Sequence, residues 1–563
     1  MGFKATGEQL HIVELSKNHR VVKVEAGAGC TKTTTLSLVA QANQVPSLYL
    51  AFNKKLVEEA EGKFPSWVTR KTTHSIAYGA FGAQLQHKLK RPDGPYKNVC
   101  GTGSEIARYY KIRAECFCHD DDKIITAAGI GVAVKETLAR FESSADELLG
   151  KQHVSYKPAK GQINDPTFNY VGYCTTVLSY AAMLWKERTN TSSSIMATHD
   201  TYLKLYQLSK PDLSQYPMLY LDEMQDSTDC VIDIAKRQLN SKIVLVGDDA
   251  QAIYAWRGAV SAMNKFEGQV GQLTTSFRFG PAIASEARMV LSLKESGGLD
   301  LKGWEQVKSE VLDFLPVEME RKTRCILYRT NSALIFDGVE YILAGRKVAL
   351  EMDTRDYINI MNSVVALKFN DMKNVKHEEV VPYPSWRHLM DEFEHLSGGD
   401  LPRITKLVAE NQHIRVLQAL ADYKKPRDPD LILTTAHKSK GREFDIVVLA
   451  NDFPDVFDKD GEFIGLEDAE ANLLYVALTR AKFTLVRNTT LKDIRKKLYG
   501  NNPPTLVVGA VKPTEAPMTA EQVVKMVAGE MLTDDDINDA LAMALQDELN
   551  DERYDYWDDR QCA

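Results

Sequence analysis

The apolar run Val21-Val-Lys-Val24 passes directly into Glu25-Ala-Gly-Ala-Gly-Cys-Thr-Lys-Thr33. Few folds accommodate that junction. The run reads as a buried strand, and small residues then let the backbone wrap tightly before a helix starts near Thr31. In such a loop the N–H groups point inward and the helix adds its positive end, which suits phosphate. The candidate nucleotide-binding residues are therefore Ala26, Gly27, Ala28, Gly29, Cys30, Thr31, Lys32, Thr33 and Thr34. Lys32 would neutralise the β- and γ-phosphates of a nucleoside triphosphate, and the Thr33 hydroxyl would ligate Mg²⁺. One residue departs from the pattern: Thr31 stands where glycine is usual. A β-branched residue is costly if that position needs φ > 0. Nucleotide binding is expected to survive the change.

A second apolar run, Pro217-Met-Leu-Tyr220, leads into Leu221-Asp-Glu-Met-Gln-Asp226. A buried parallel strand delivers its C-terminal residues to the ligand crevice. There Asp222 would reach Mg²⁺, directly or through water. Glu223 would polarise the attacking water as general base, and Gln225 and Asp226 would couple the site to neighbouring loops. The strand argues against the alternative of an acidic end facing solvent. Loop and carboxylates together imply a nucleoside triphosphatase.

Elsewhere apolar runs alternate with helical patterns, the signature of parallel α/β sheets. Strands are expected at 21–26, 47–52, 218–223, 242–248 and 272–276. A second set is expected near 324–329, 432–437, 445–450 and 483–488. The 563 residues allow three or four domains. An insertion at roughly 82–195 reads mainly helical, most clearly from Asp122 to Leu149. Lys88-Leu-Lys-Arg91 inside it meets either duplex backbone or solvent. A second insertion, roughly 335–425, has helical character at Arg355 to Lys368 and Pro384 to Leu396.

No stretch is long and apolar enough to span a membrane, and no signal peptide is visible. The 8 cysteines form no disulfide framework, which fits a reducing interior. Cys116-Phe-Cys-His119 lacks a second pair at metal-site spacing, so a solvent loop is expected there. Residues 515–563 hold 14 acidic and 3 basic side chains; with the whole chain at −8, the remainder is +3. A mild positive charge is enough to grip a nucleic acid strand in a local groove. In the tail, Thr519 to Gly529 and Thr533 to Leu549 are amphipathic helix candidates. They form either packed helices or an acidic arm that binds a protein partner or covers the groove.

Further segments follow in a characteristic order. They are Val246-Gly-Asp-Asp-Ala-Gln-Ala-Ile-Tyr-Ala-Trp-Arg-Gly-Ala259, Thr275-Ser-Phe-Arg278, Cys325-Ile-Leu-Tyr-Arg-Thr-Asn331, Thr434-Thr-Ala-His-Lys-Ser-Lys-Gly-Arg-Glu-Phe-Asp445 and Leu474-Tyr-Val-Ala-Leu-Thr-Arg-Ala-Lys482. Roughly from residue 5 to 490, the chain resembles a superfamily 1 helicase of the UvrD/Rep type. Ala51-Phe-Asn-Lys54, Lys71-Thr-Thr-His-Ser-Ile-Ala-Tyr78 and the stretch from His199 to Pro211 are similar to the helicase portion of the F-box DNA helicases. No F-box is expected upstream of Thr6-Gly-Glu-Gln9.

The resemblance implies an α/β fold with two RecA-like motor domains, each carrying an insertion. The expected division is 1–81 with 196–275, 82–195, 276–334 with 426–512, 335–425, and an acidic tail at 513–563. It also implies roles for matching residues. Gln9 would read the adenine edge, Phe277 would stack on adenine, Gln251 would sense the γ-phosphate and Glu443 would approach the ribose and phosphates. Arg278 and Arg480 would reach the γ-phosphate from the second motor domain. Phe52, Tyr254 and Trp256 would stack on bases of a single strand. Asn53, Lys54, His74, Arg257 and His437 would hold phosphates or sugars.

The expected function is an ATP- and Mg²⁺-dependent DNA helicase and translocase, 3′→5′ by resemblance, in replication, repair or recombination. Its expected partners are single-stranded DNA and single/double-strand junctions. A monomer inside the cell, from a bacterium or phage, is expected. Two alternatives stay open. One is a nucleic-acid clamp or scaffold whose turnover Thr31 impairs. The other is a translocase that strips proteins from DNA with little unwinding.

Overall fold

The computed structural model describes residues 5–51, 53–89, 100–119, 124–254, 261–295, 297–392, 400–421 and 423–500. Strand Val21–Ala26 (β1) is followed by Ser47–Ala51 (β2), Val68–Thr72 (β3), Met218–Leu221 (β4), Lys242–Gly247 (β5) and Gln269–Leu273 (β6). They form one sheet ordered β3-β2-β4-β5-β1-β6, with every pairing parallel. Leu221 lies against Leu245, and Glu25 against Gly247, so β4, β5 and β1 finish together at one edge. β4 is buried along its whole length, as a central parallel strand must be when both faces are covered.

Two strands differ from the sequence expectation. β3 was not expected, because Val68-Thr-Arg-Lys-Thr72 is polar; it forms the half-exposed edge of the sheet. The strand expected at 272–276 is split: β6 ends at Leu273, and Thr275–Ser276 leaves to pair with Lys302–Gly303.

The second sheet comprises Glu310–Leu312 (β7), Arg324–Tyr328 (β8), Val348–Glu351 (β9), Leu431–Thr435 (β10), Phe444–Leu449 (β11) and Ala481–Val486 (β12). Its order is β7-β12-β11-β8-β10-β9, again parallel throughout. β9 moves the expected boundary at 335. The helix Asn331–Leu343 leads into β9, which pairs with β10, so the inserted helices begin at Thr354. The apolar run of β9, Val348-Ala-Leu350, is too short to be assigned to strand or helix by periodicity alone.

The first insertion has its own core, with Ile106, Ile130, Leu138, Phe141, Tyr173 and Leu184 packed together. The expected helix from Asp122 to Leu149 is shorter, Ala127–Ser143; the Thr126 hydroxyl caps its start by accepting from Gly129 N–H at 2.9 Å. Cys116-Phe-Cys-His119 is not the solvent loop expected. Cys116 belongs to a short ladder, Glu115–Cys116 with Ile124–Ile125, and Phe117 is buried in the insertion's core. Lys88 meets neither duplex nor solvent: it is buried and donates to the carbonyls of Glu187 and Asn190, each at 2.8 Å. Lys90 and Arg91 lie outside the described residues, as does the acidic tail.

The two motor domains share a core. Ala471 to Leu478 of helix Asp468–Leu478 is buried without interruption. It joins Val24, Ala28 and Val246 of the first domain and Leu327 and Val447 of the second in one apolar cluster. Among the described residues no helix is long and apolar enough to cross a membrane.

Candidate active site

β1 ends at Ala26 and the helix Lys32–Asn43 begins six residues later. Between them Gly29 has φ +74; a Cβ there would lie 2.5 Å from Ser276 Oγ and 2.7 Å from Arg278 Cβ. Only glycine fits, because the loop presses against the entry to the second motor domain. Thr31 sits at φ 54, ψ 43, the left-handed region. The position therefore does require positive φ, and a β-branched residue occupies it at a cost of about 1–3 kcal/mol. Cys30 is buried, which pushes its thiol up to about 12, so it is an inert packing residue.

Across the end of β5, the Thr33 hydroxyl donates to Asp222 Oδ2 at 2.9 Å, and Tyr49 donates to the same oxygen at 2.8 Å. Thr33 and Asp222 thus form a compact oxygen set that suits a hard dication such as Mg²⁺, which keeps most of its ligands as water and phosphate. Burial, then the neighbouring Glu223 charge, push the Asp222 carboxyl up. A cation at this point would relieve both.

Glu223 is a second non-glycine residue in the left-handed region, at φ 52. Strained backbone of this kind concentrates at functional sites. Burial opposes its charge, but Lys32, Lys440, Gln225 and Arg480 together hold the carboxyl below the usual range. Lys32 Nζ lies 3.7 Å from Glu223 Oε1, and Gln225 donates to the other carboxylate oxygen. Glu223 is thus kept ionised, as a base must be.

Behind this front, Gln225 Oε1 accepts from Asp248 N–H at 3.1 Å, and Gln251 donates to Asp248 Oδ2 at 2.6 Å. Gln251 faces Asp248 rather than standing free.

The second domain reaches into the same cleft. Arg278 Nε donates to Glu443 Oε1 at 2.7 Å, and Arg278 Nη1 to the Thr479 carbonyl at 3.1 Å. Arg480 is buried. Its donors go to the Val476 carbonyl, the Thr479 hydroxyl and the Arg442 carbonyl. Burial and the Arg278 charge pull the Arg480 guanidinium below its ordinary range. Two adjacent guanidinium groups held this way favour an anion between the domains.

Four participants were missed in the sequence. Tyr475 accepts from Ala28 N–H at 3.0 Å and donates to Asp248 Oδ2 at 3.1 Å, so a phenol from the second domain seats in the phosphate loop. Lys440 pairs with Asp226 Oδ2 at 2.5 Å and donates to the Gln251 carbonyl at 2.7 Å. Tyr49 holds Asp222. Trp304 lies against Phe277, ring centroids 4.6 Å apart. Tyr475 and Lys440 fall inside quoted motifs; no local pattern marks Tyr49 or Trp304.

Gln9 is buried. Its amide nitrogen donates to the hydroxyls of Thr31 and Thr35, and its oxygen accepts from Thr6 N–H. Ala26, Gly27, Lys32 and Thr34 stand where the sequence put them, on the strand end, loop and first helical turn.

Of the residues expected to touch nucleic acid, His74 and Tyr254 line a cavity with Asp222 and Asp226. Tyr254 donates to the His437 carbonyl at 3.3 Å, and the Lys440 ammonium lies 5.1 Å from the Tyr254 ring centroid. His74 is 3.1 Å from Asp200. Asn53 accepts from Leu56 N–H as a helix cap, and Lys54 is an exposed partner of Glu58. Phe52, Trp256 and Arg257 lie outside the described residues.

Comparison with known proteins accords with this geometry. The family model described as UvrD-like helicase C-terminal domain matches residues 354–491, and that described as AAA domain matches residues 9–257. F-box DNA helicase protein 1 of Schizosaccharomyces pombe is 31% identical over 541 residues, covering 87% of this chain and 58% of that protein. F-box DNA helicase 1 of Gallus gallus is 30% identical over 537 residues, covering 87% of this chain and 50% of that protein. The chain thus spans somewhat more than half the length of one of these relatives and half that of the other. With two parallel-sheet domains facing one phosphate loop and both family models matched in order, the chain belongs to the UvrD-like superfamily 1 helicases.

Proposed function

We propose that this chain is an ATP-driven motor that moves on single-stranded DNA and separates strands, with 3′→5′ polarity. One observation carries the reading most. Groups from both domains converge on one phosphate loop: Lys32, Thr33, Asp222 and Glu223 from the first, and Arg278, Tyr475 and Arg480 from the second. Such a cleft opens and closes with its nucleotide, and alternating closure is what a translocating motor needs.

In the proposed cycle Lys32 neutralises the β- and γ-phosphates. Glu223, ionised, accepts the proton of the attacking water as the bond from the γ-phosphorus to the bridging oxygen breaks. Arg278 and Arg480 stabilise the charge spreading over the transferred group, an effect that can reach several kcal/mol. A Mg²⁺ held by Thr33 and Asp222 would supply further neutralisation of the phosphate oxygens. Tyr254, His437 and Lys440 connect the cleft to the strand-holding surface, because Lys440 touches Gln251 and Asp226 on one side and the Tyr254 ring on the other. The two relatives named as DNA helicases support DNA as the substrate.

The test is ATP hydrolysis with and without single-stranded DNA, on the parent chain, Thr31→Gly and Glu223→Gln. DNA-stimulated hydrolysis is expected, reduced roughly 10²–10⁴-fold by Glu223→Gln. No hydrolysis in the parent, restored by Thr31→Gly, would leave a clamp instead of a motor. Preferential opening of duplexes with a 5′ tail would overturn the polarity.

A further inference from the structure

We propose that Asp200 positions His74 so that only the protonated imidazole grips a strand phosphate, and that binding of single-stranded DNA therefore takes up a proton. The inference rests on the reading of His74 as a strand-holding residue.

Thr72 pairs with Ala51, and Leu50 with Leu221, so β3 and β4 finish at the same edge of the sheet. His74 follows in the short helix Thr73–Ala77, whose start is capped by the Thr72 hydroxyl accepting from Ser75 N–H at 3.0 Å. It lines a cavity of about 200 Å³ with Asp200, Asp226 and Tyr254. Asp200 stands in the first turn of the helix His199–Leu208. His74 Nε2 lies 3.1 Å from Asp200 Oδ1, and the two side chains are 35% and 61% exposed, so a strand can reach the ring.

An ionised carboxylate only accepts hydrogen bonds. Nε2 must therefore carry the proton of a neutral His74 ring. Nδ1 is then a bare lone pair, which repels a phosphate oxygen. Among the described residues Nδ1 has no hydrogen-bond partner. A proton taken from solvent onto Nδ1 turns it into a donor, while Nε2–H stays on Asp200. The ring can then bridge the carboxylate and a phosphate. Imidazole is the side chain whose charge changes between pH 5 and 8.

Other charged and titratable groups surround this pair. Tyr202 meets the His74 ring edge-on with centroids 6.1 Å apart, and also meets Tyr78. His199 Nδ1 lies 2.9 Å from the Tyr202 hydroxyl, which gives that histidine a partner of its own. Arg70 and Lys71 precede His74 on β3. Glu142 accepts from Thr201 and pairs with Arg188 behind the helix start. Asp200 is the carboxylate on the His74 ring, and it decides which nitrogen is protonated.

The experiment is calorimetric titration of the full chain with an oligothymidylate strand, in buffers of differing protonation enthalpy, from pH 6 to pH 8.5. The parent, Asp200→Asn, His74→Asn and His199→Gln are compared. The parent is expected to take up about one proton per strand bound at pH 8, and fewer as pH falls. Its association constant should fall by up to about tenfold per pH unit at the alkaline end. Its salt dependence should be steeper at pH 6 than at pH 8 by about 0.7 in slope, the share of one phosphate contact on a single strand. Asparagine can donate as well as accept, so in Asp200→Asn the neutral ring can carry its proton on Nδ1. That variant should bind with little proton uptake and exceed the parent's affinity at pH 8. His74→Asn should lose the uptake and bind more weakly than the parent at pH 6, whereas His199→Gln should keep the uptake. A merely structural Asp200, placed to favour the helix dipole, would move the thermal midpoint and leave the proton count alone. No uptake by the parent, or the same uptake in Asp200→Asn, overturns the proposal, as does loss of uptake in His199→Gln. Failure of the parent to bind the strand at any pH would instead sink the strand-holding reading, so the two failures are distinct.

Discussion

Lys440→Met removes the ammonium that ties the second motor domain to Asp226 while keeping most of the side chain's volume. The Lys440 and Asp226 side chains are 11% and 5% exposed and 2.5 Å apart. Breaking a buried pair can cost about 3–5 kcal/mol if the remaining charge stays ionised. Here it need not. Burial already pushes Asp226 from 3.8 up to about 6, against the pull of Lys440. With a folded value above the unfolded one, its favourable contribution is complete below pH 3.8 and is lost as pH rises through 6. At neutral pH the ionised group therefore opposes folding by about 3 kcal/mol. Without Lys440 the carboxyl moves higher and takes up a proton, which caps the further loss at about 1.4 kcal/mol per pH unit above 6. The lost bond to the Gln251 carbonyl adds about 1 kcal/mol at every pH. The coupling between Lys440 and Asp226 should thus be smallest at pH 6 and should rise through pH 7 toward at most about 3 kcal/mol at pH 8. Urea unfolding of the parent, Lys440→Met, Asp226→Asn and the double variant at those three pH values measures it. A coupling that does not change with pH, or that falls as pH rises, would refute the reasoning.

Tyr475→Phe should destabilise the nucleotide-free protein by about 1–3 kcal/mol, because Ala28 N–H and Asp248 lose their shared hydroxyl. ATP phosphate can replace that acceptor, so the loss in thermal midpoint should shrink with ATP and Mg²⁺; an equal loss in both conditions counts against it. Arg188→Met should cost about 3–5 kcal/mol, since Arg188 and Glu142 form a 3.3 Å pair, each 2% exposed, inside the first insertion. Burial already raises the Glu142 carboxyl, so that group's contribution is lost as pH rises, and the variant should recover stability toward pH 5 in thermal unfolding. Gly29→Ala should abolish nucleotide binding in a calorimetric titration, as its Cβ would collide with Ser276 and Arg278.

Much of the site was legible because its chemistry is local. Strand, loop and helix order, small residues at Gly27 to Gly29, and Lys32 with Thr33 are all written in one continuous stretch, as is the strand that presents Asp222 and Glu223. Parallel strands buried on both faces are continuous apolar runs, which is why β1, β2, β4, β5, β8, β10, β11 and β12 could be placed within a few residues. β3 and β9 escaped because an edge strand exposes a face and so short an apolar run carries no period. The demand for positive φ at Thr31 was visible in the sequence only as a condition; the left-handed backbone there is a property of the folded loop.

Tertiary structure decided what faces what. Tyr475 meets Ala28, Lys440 meets Asp226, Tyr49 meets Asp222 and Gln9 meets Thr31 only after two sheets have packed around one cleft. Hydrogen bonds between residues far apart in the chain leave no trace in local pattern or spacing. The amino-acid sequence by itself determined the class of fold and the groups that can handle a triphosphate, since backbone wrapping and helix starts depend on neighbours. Which of those groups are free, and which are already held by a partner, depended on distances that only the packed chain sets.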